Sequence, residues 1–279
     1  MTVFLPRENI FFLDEWLRYH IAVGFDHFYL YDNGGSRWVD CGNNLEVNAR
    51  NKRGEEVYRL LADRDDVSIE RELVRVLDPF RSAGYVTRIP WQPRDRSGQV
   101  TYGQAKAFMD YVRTYARDSE WVSFTDMDEF VVPVRHDSVR DVLLALESDG
   151  YTYVAMPQKC FASRFDREGR PVAEVLEIVQ CADWVTTSFG PKAMVQADTL
   201  RIPWSKQSYV IHSPAVHRRR TRRITDSGLV RFNHYKFNQW ELDWVANNLD
   251  VTLSLDAVDD GMRRFRARAR SIIVPVEAT

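Results

Sequence analysis

Apolar residues repeat at helical spacing in some segments of the chain and form short, strand-like runs in others. Between Ile10 and Ile21 they recur every three or four positions, which predicts a helix that ends at Gly24. A short run, TVFL, precedes this helix, and an aromatic run, HFYLY, follows it. The order strand, helix, strand predicts two parallel strands joined by a right-handed crossover.

The same two patterns recur further along the chain. Gly54–Leu77 predicts a helix, a turn and then a strand, and the proline-containing stretch Arg88–Gly98 predicts an exposed loop. Helical spacing returns over Tyr102–Arg117, and the apolar run WVSFTD after it predicts a buried strand. Ser138, with Asp141 three residues later, is typical of a helix N-cap. Later segments predict a strand at YTYVAMP, an irregular region over Gln158–Val195, a strand over Leu229–Phe237 and an amphipathic helix over Met262–Ile272.

The composition fits one α/β domain over residues 1–279. Hydrophobic residues make up 44% of the 279 positions, enough for a large core, and the formal net charge of −2 argues against nucleic-acid binding. Cys41, Cys160 and Cys181 are far apart and form no CxxC motif, so we expect reduced thiols and a cytoplasmic location. No stretch reaches the ~20 apolar residues of a membrane span.

Basic residues are concentrated in two segments, His217–Arg223 and Met262–Arg270. In the predicted C-terminal helix the arginines lie away from the apolar stripe. This pattern is typical of a solvated helix face docked on the domain. The alternative is peripheral contact with the inner face of a membrane, which anionic lipids would favour.

An acidic cluster interrupts the apolar stretch WVSFTDMDEFVVP. Asp126 and Asp128 come where the predicted strand ends, and side chains two residues apart point the same way in an extended segment. Ligands of parallel sheets bind outside the carboxyl ends of the strands, and Asp32 and Asn33 follow another such strand. Two carboxylates with the phosphate oxygens of a ligand suit Mg²⁺ or Mn²⁺. For the acidic triplet alone, a solvated turn is the alternative.

Several stretches, together covering most of the chain, resemble the glycosyltransferase family 92-like proteins of the GT-A superfamily. They are, in order, FFLDEWLRYHIAVGFDHFYLYDN, WVSFTDMDEFVVP, DWVTTSFG and FNHYKFN. The first strand, TVFL, is shorter than in that family. The resemblance implies a GT-A-like, Rossmann-type, mostly parallel sheet flanked by helices, an irregular acceptor-side region and a C-terminal helix. It divides the domain into a nucleotide-sugar-binding half (1–135), an acceptor-side half (136–240) and a C-terminal helical extension (241–279).

The resemblance also implies a divalent metal that bridges the donor diphosphate. Asp128 matches the metal ligand of the family motif, and Asp126 matches the ribose partner or a second carboxylate ligand. His234, in the Asn-His-Tyr element, matches a further ligand. An imidazole together with carboxylate and phosphate oxygens suits Mn²⁺ better than Mg²⁺.

Other residues are candidates for holding the donor. Asp32 and Asn33 resemble the residues that receive the nucleotide, although Asp32 equally fits an Asx-turn. Gln104 opens the helix before the acidic strand and is within reach of the nucleotide. Because the departing diphosphate gains negative charge, a cation should stabilise it, and Lys206 and the arginines of His217–Arg223 are candidates. Most of that arginine cluster fits a solvated or membrane-facing loop.

The acceptor side needs a base if the reaction inverts the anomeric centre. Asp183 is the candidate, and Glu129 is its rival, although Glu129 also fits a structural role in which it accepts backbone N–H bonds. Trp184 and Phe189 are candidates for stacking on a sugar ring, with core packing as the alternative.

These expectations combine into a metal-dependent glycosyltransferase. It would move a hexose, with galactose as the family-based choice, from a UDP-sugar to a carbohydrate or glycoconjugate acceptor, with inversion. One alternative is a catalytically inactive sugar- or nucleotide-binding protein of the same fold. Another is a sugar nucleotidyltransferase, which the lack of an early glycine-rich phosphate loop disfavours.

Overall fold

Two β-sheets flanked by helices form the described part of the computed structural model, which confirms the predicted α/β class. The described residues are 1–5, 7–33, 66–98, 103–166, 170–187, 190–202, 212–237, 239–249 and 253–274.

The strand–helix–strand opening is confirmed. Strand β1 (Thr2–Leu5) leads through a 3-10 turn into helix α1 (Leu13–Ala22), and β2 (Phe28–Asp32) follows parallel to β1. Leu13 and Leu17 of the predicted apolar stripe are buried, and Ile21 packs partly buried against the same core. Gly24 follows the helix with φ at +101°, a left-handed conformation that only glycine adopts at little cost.

The strand predicted in the next segment is wrong, because Asp66–Ser82 forms one helix, α2. Its buried side chains include Ile69, Leu73 and Leu77, which are four residues apart and therefore share one helix face. Strand β3 (Val86–Pro90) follows and runs parallel to β2, so the loop predicted over Arg88–Gly98 is wrong at its start, where Arg88–Pro90 belongs to the strand. The helix predicted before residue 66 lies outside the described residues.

The elements around the acidic cluster are confirmed. Helix α3 (Gln104–Thr114) precedes β4 (Trp121–Thr125), and the Ser138 hydroxyl accepts the Asp141 N–H at 3.1 Å, as an N-cap should. The segment predicted to be irregular contains three strands. The remaining elements are β5 (Glu129–Pro133), α4 (Val139–Ser148), β6 (Tyr153–Met156), β7 (Gln158–Ala162), β8 (Gln180–Cys181), β9 (Lys192–Gln196), β10 (Arg223–Ile224), β11 (Val230–Phe237), α5 (Gln239–Leu249), β12 (Ala257–Val258) and α6 (Arg263–Ser271).

The first sheet, counted over the described residues, has the strand order β10-β6-β9-β4-β1-β2-β3. Strands β3, β2, β1 and β4 are parallel, whereas β9 runs antiparallel to both β4 and β6. The chain builds β2 and β3 on one side of β1 and β4 on the other. In parallel sheets, ligands bind at the carboxyl ends of the strands where the order reverses, here β1 and β4.

The second sheet has the order β12-β8-β7-β11-β5, which leaves β5 at an edge. Side chains of α1 satisfy the backbone of that edge. Trp16 Nε1 donates to the Glu129 carbonyl at 2.9 Å, and the Tyr19 hydroxyl donates to the Val131 carbonyl at 2.8 Å. His20 Nε2 accepts the Val131 N–H at 3.2 Å. Helix α1 therefore covers an edge that would otherwise be open to pairing with another chain.

The C-terminal helix α6 docks on the same core. Phe265 and Ala269 are buried in the cluster that contains α1, and Tyr19 packs edge-on against Phe265. The helix's arginines contact the rest of the chain: Arg263 and Arg266 pair with Glu177, Arg266 and Arg270 with Glu174, and Arg264 and Arg268 donate to backbone carbonyls. These contacts favour the docked-face interpretation. Within the described ranges, no helix has the length and apolar character needed to cross a bilayer.

Candidate functional site

The acidic cluster lies in the turn that joins the two sheets. Strand β4 ends at Thr125 in the first sheet, and β5 begins at Glu129 in the second. Asp126, Met127 and Asp128 connect them. The turn thus sits at the carboxyl end of β4, next to β1, where the strand order predicts a ligand site.

Both carboxylate oxygens of Asp126 are engaged by other side chains. Gln104 Nε2 donates to Oδ1, and Lys192 Nζ donates to Oδ2 at 2.6 Å. Gln104, which was predicted to reach the nucleotide, therefore contacts Asp126 from the first turn of α3. Asp126 is fixed from two directions, and its lone pairs are partly used within the protein.

Glu129 closes the turn. Its side chain is 3% exposed, and Oε2 accepts the backbone N–H of Asp126 at 3.0 Å. Burial raises the pKa of Glu129 to about 8, against the opposing charge of Lys192, and the Asp126 and Asp128 carboxylates raise it further. Glu129 therefore has the structural role that the sequence offered as the alternative to catalysis, in which it accepts a backbone N–H bond.

Lys192 is a site residue that the sequence analysis missed. It is the first residue of β9, its side chain is fully buried, and Nζ lies 2.6 Å from Asp126 and 3.3 Å from Glu129. Burial lowers its pKa, but the two carboxylates outweigh burial and hold the pKa above the ordinary value, so the side chain stays cationic. In the sequence, Lys192 is visible only as a charged residue that opens the apolar run KAMVQ. Its contact with the acidic turn arises because β9 pairs with β4, which no local pattern shows.

Asp128, in the turn before β5, contacts His234 on the neighbouring strand β11. His234 stands opposite Glu129 in the β11–β5 ladder, and its Nε2 lies 3.4 Å from Asp128 Oδ2. Burial opposes ionisation of Asp128, but His234, Arg164 and Lys236 outweigh it and hold its pKa well below the usual range. Burial lowers the pKa of His234, against the pull of Asp128, which favours a neutral imidazole.

These residues form a group suited to a metal ion. Asp128, Glu129 and His234 each offer a ligand atom, and the three atoms lie within 4.8 Å of one another. Nδ1 of His234 is buried and has no hydrogen-bond partner among the residues that the structure describes. A carboxylate and a neutral imidazole with uncommitted binding capacity fit a divalent ion of the Mn²⁺ type.

Another histidine, His212, faces the same cluster. A Cβ on Gly190 would lie 2.8 Å from Nδ1 of His212, and Gly190 has φ at +88°. The pKa of His212 is lowered to about 4, first by burial and then by the charge of Lys192, with an opposing effect from Asp126. His212 therefore lies close enough to the acidic turn to be affected by its charges. Sequence reasoning did not select it.

The predicted nucleotide residues of β2 are held within the protein. Arg88 on β3 donates to Asp32 at 2.5 Å and to Glu70 at 2.7 Å. Asn33 donates from Nδ2 to the carbonyl of Trp91 at 2.8 Å. Arg88, which sequence reasoning missed, places a cation beside Asp32 at the carboxyl end of β2.

The acceptor-side candidates are only partly described. Asp183 is exposed on the chain that follows β8, and Trp184 packs against the buried cluster that includes Cys160 and Val245. These contacts favour core packing, the alternative role for Trp184. Lys206 and Phe189 lie outside the described residues.

A parallel half-sheet that reverses its order at β1, with acids and a histidine at its carboxyl edge, is the architecture of GT-A-type enzymes. The chain belongs to glycosyltransferase family 92, whose family model matches residues 66–266, and it is a glycosyltransferase. The match confirms the family resemblance and the GT-A-like fold. No curated protein matches the chain.

Proposed function

We propose that this glycosyltransferase moves a hexose from a UDP-sugar to a carbohydrate or glycoconjugate acceptor with the help of Mn²⁺ or Mg²⁺. The observation that carries this proposal is the Asp128, Glu129 and His234 cluster at the edge where a GT-A-like sheet binds its donor. Galactose is the first sugar to test, on the basis of the family alone.

Asp128 and His234 would hold the metal ion in this proposal. Asp128 keeps a low pKa and so stays ionised, and His234 presents a neutral ring beside it. When bound, the ion would offset the negative charge that gathers on the diphosphate as the sugar leaves. Asp126 has both oxygens engaged by Gln104 and Lys192, so its part is to shape the turn and to face the ribose.

An inverting reaction would take its base from the acceptor side. Glu129 is buried and bound to the backbone of its own turn, which makes it a poor partner for an incoming hydroxyl. Asp183 is exposed and is retained as the proposed base. Trp184 is retained as a candidate for the edge of the acceptor site.

The test is a calorimetric titration of UDP into the protein, with Mn²⁺ and with a chelator. We expect binding that needs the metal, and we expect Asp128→Asn to weaken metal-dependent binding at least roughly tenfold, because it removes an anionic ligand. The matched control is Asp137→Asn, since Asp137 is an exposed acid beyond β5. It should bind like the wild type.

The outcomes separate the parts of the proposal. Equal UDP affinity with metal and with chelator would reject metal-assisted donor binding. Metal-dependent binding that Asp128→Asn leaves intact would reject the assignment of the ligand. If UDP does not bind in either condition, titration with other nucleoside diphosphates would show whether uridine is the wrong base.

A further inference from the structure

Arg164 is a buried cation on the chain that follows β7, and its side chain contacts the acidic turn. The residue is 2% exposed, and its Nη1 donates to the Met127 carbonyl at 2.9 Å. Met127 is the residue that separates Asp126 from Asp128. The guanidinium therefore holds the backbone of the turn at its centre, between the two aspartates.

The same guanidinium is anchored near the carboxyl end of β1. Its Nη2 donates to Oδ1 of Asn9, a buried residue of the 3-10 turn that follows β1. The ring centroid of Phe12 lies 4.6 Å from Cζ, within cation–π distance. Because the guanidinium is a rigid, planar fork, its two bonds fix the acidic turn relative to β1, the strand beside β4.

The backbone of Arg164 also contacts the strand that carries His234. Its N–H donates to the Tyr235 carbonyl at 3.4 Å, and the Tyr235 N–H donates to the Asp128 carbonyl at 2.9 Å. Tyr235 follows His234 directly on β11. Arg164 therefore touches both segments that carry the candidate metal ligands, and these ligands, Asp128 Oδ2 and His234 Nε2, are 3.4 Å apart.

We propose that Arg164 is a positioning residue that fixes Asp128 relative to His234 and so sets the affinity of the site for a divalent ion. This inference rests on the proposed function, and it names a residue that neither the sequence patterns nor the family motifs selected. The role depends on the bonds that Arg164 makes within the protein. Groups that orient metal ligands from outside commonly change metal affinity by about 10–100-fold when they are replaced.

The test measures Mn²⁺ binding to the full chain by electron paramagnetic resonance, which detects the free ion. Arg164→Met removes the fork and its charge, so the Mn²⁺ affinity should fall at least roughly tenfold. Asn9→Ala keeps the charge and the bond to Met127 but removes the anchor, so the expected loss is roughly threefold. Arg164→Lys keeps the charge but has one nitrogen in place of the fork, and its affinity should lie between those of Arg164→Met and the wild type.

The control is Leu73→Ala, which destabilises the fold away from the turn. Leu73 is buried on α2, which packs against β3, and β1 and β2 separate β3 from β4 in the first sheet. Loss of a core leucine side chain lowers the free energy of unfolding, but a change at a distant site should leave the Mn²⁺ affinity within about twofold. Urea unfolding of every variant distinguishes a loss of affinity from a loss of stability.

Wild-type Mn²⁺ affinity in folded Arg164→Met would overturn the inference, and so would an equal loss in Leu73→Ala, which indicates instability as the cause. If Arg164→Met does not fold, wild-type affinity in both Arg164→Lys and Asn9→Ala rejects the positioning role. The proposed function fails in a different way. Mn²⁺ binding that depends on Arg164, without any binding of UDP, keeps the inference and rejects the proposed donor. A wild-type chain that binds no Mn²⁺ rejects both.

Discussion

The acidic turn holds three carboxylates close together, and one buried lysine makes that arrangement stable. Asp126 and Glu129 would repel each other whenever both are ionised, and Lys192 lies within ion-pair distance of both. Lys192 bonds to these two acids, whereas Asp128 contacts His234. The geometry of the acidic turn therefore depends in part on a residue that has no contact with solvent.

Replacement of Lys192 should destabilise the fold. Lys192→Met leaves Asp126 and Glu129 without their cation, and because the Asp126 side chain is 31% exposed the cost should be about 1–3 kcal/mol, less than for a fully buried pair. Urea unfolding measures this difference in the free energy of unfolding. The double variant Lys192→Met/Asp126→Asn should recover part of the loss, because the carboxylate closest to Lys192 is then neutral.

The control for that prediction is Lys106→Met, which removes an exposed lysine on α3. Its unfolding free energy should stay within about 0.5 kcal/mol of the wild type, as for most surface changes. If Lys192→Met were equally mild, the ion pairs at the turn would contribute little to stability. Lys192 would then not be what stabilises the turn.

At the level of single residues, sequence reasoning found the acids and His234 but not their cation. Asp126, Asp128 and Glu129 stand out because they interrupt an apolar run, and His234 because it matches a family motif. Lys192 belongs to a strand about 65 residues away, and its contacts depend on β9 pairing with β4. Long-range strand pairing has no local signature, so this partner was not predictable.

At the level of elements, the connection into β9 depends on a glycine. Gly190 has φ at +88°, and the ring of His212 occupies the space that a Cβ would need. Gly84 has a similar φ, +80°, but nothing lies within 4 Å of its Cβ position. Alanine substitutions at the two glycines therefore distinguish the cost of the left-handed backbone from the cost of the contact with His212.

Gly190→Ala should destabilise the protein more than Gly84→Ala. Both changes place a Cβ on a left-handed backbone, at a cost of about 1 kcal/mol. Gly190→Ala adds a clash with the His212 ring, a side chain that can shift to another rotamer at a cost of about 0.5–1.5 kcal/mol. Chemical unfolding of the two variants measures the excess. It should disappear when Gly190→Ala is combined with His212→Ala, so an excess that persists would show that His212 is not its cause.

Helix α2 shows why one element was predicted wrongly. Charged and apolar residues alternate in part of VSIERELVRVL, and this resembles a half-buried strand. The longer spacing of Ile69, Leu73, Leu77 and Phe80 is helical, and all four are buried. A short window favours the strand, whereas the full 17-residue span favours the helix.

At the level of the whole molecule, helix α1 joins the parallel half to the edge of the second sheet. His20 is central to that contact: Nδ1 donates to the Trp16 carbonyl at 2.8 Å, and Nε2 accepts from Val131. Both bonds need the neutral ring with its proton on Nδ1. Burial lowers the pKa of His20 to about 3, against the backbone bond to Trp16.

Folding stability should therefore fall in acid, and His20 should account for part of the loss. Between pH 6.5 and about 3 the unfolded chain binds a proton at His20 that the folded chain does not, so stability is present above pH 6.5 and is lost as the pH falls. At pH 5 the loss from this residue is about 2 kcal/mol. His20→Gln should reduce the drop in unfolding free energy between pH 7 and pH 5 by that amount, whereas His217→Gln, at an exposed histidine, should not. The same drop in all three proteins would show that protonation of His20 does not contribute, and the α1–β5 contact would then not be the acid-sensitive part of the fold.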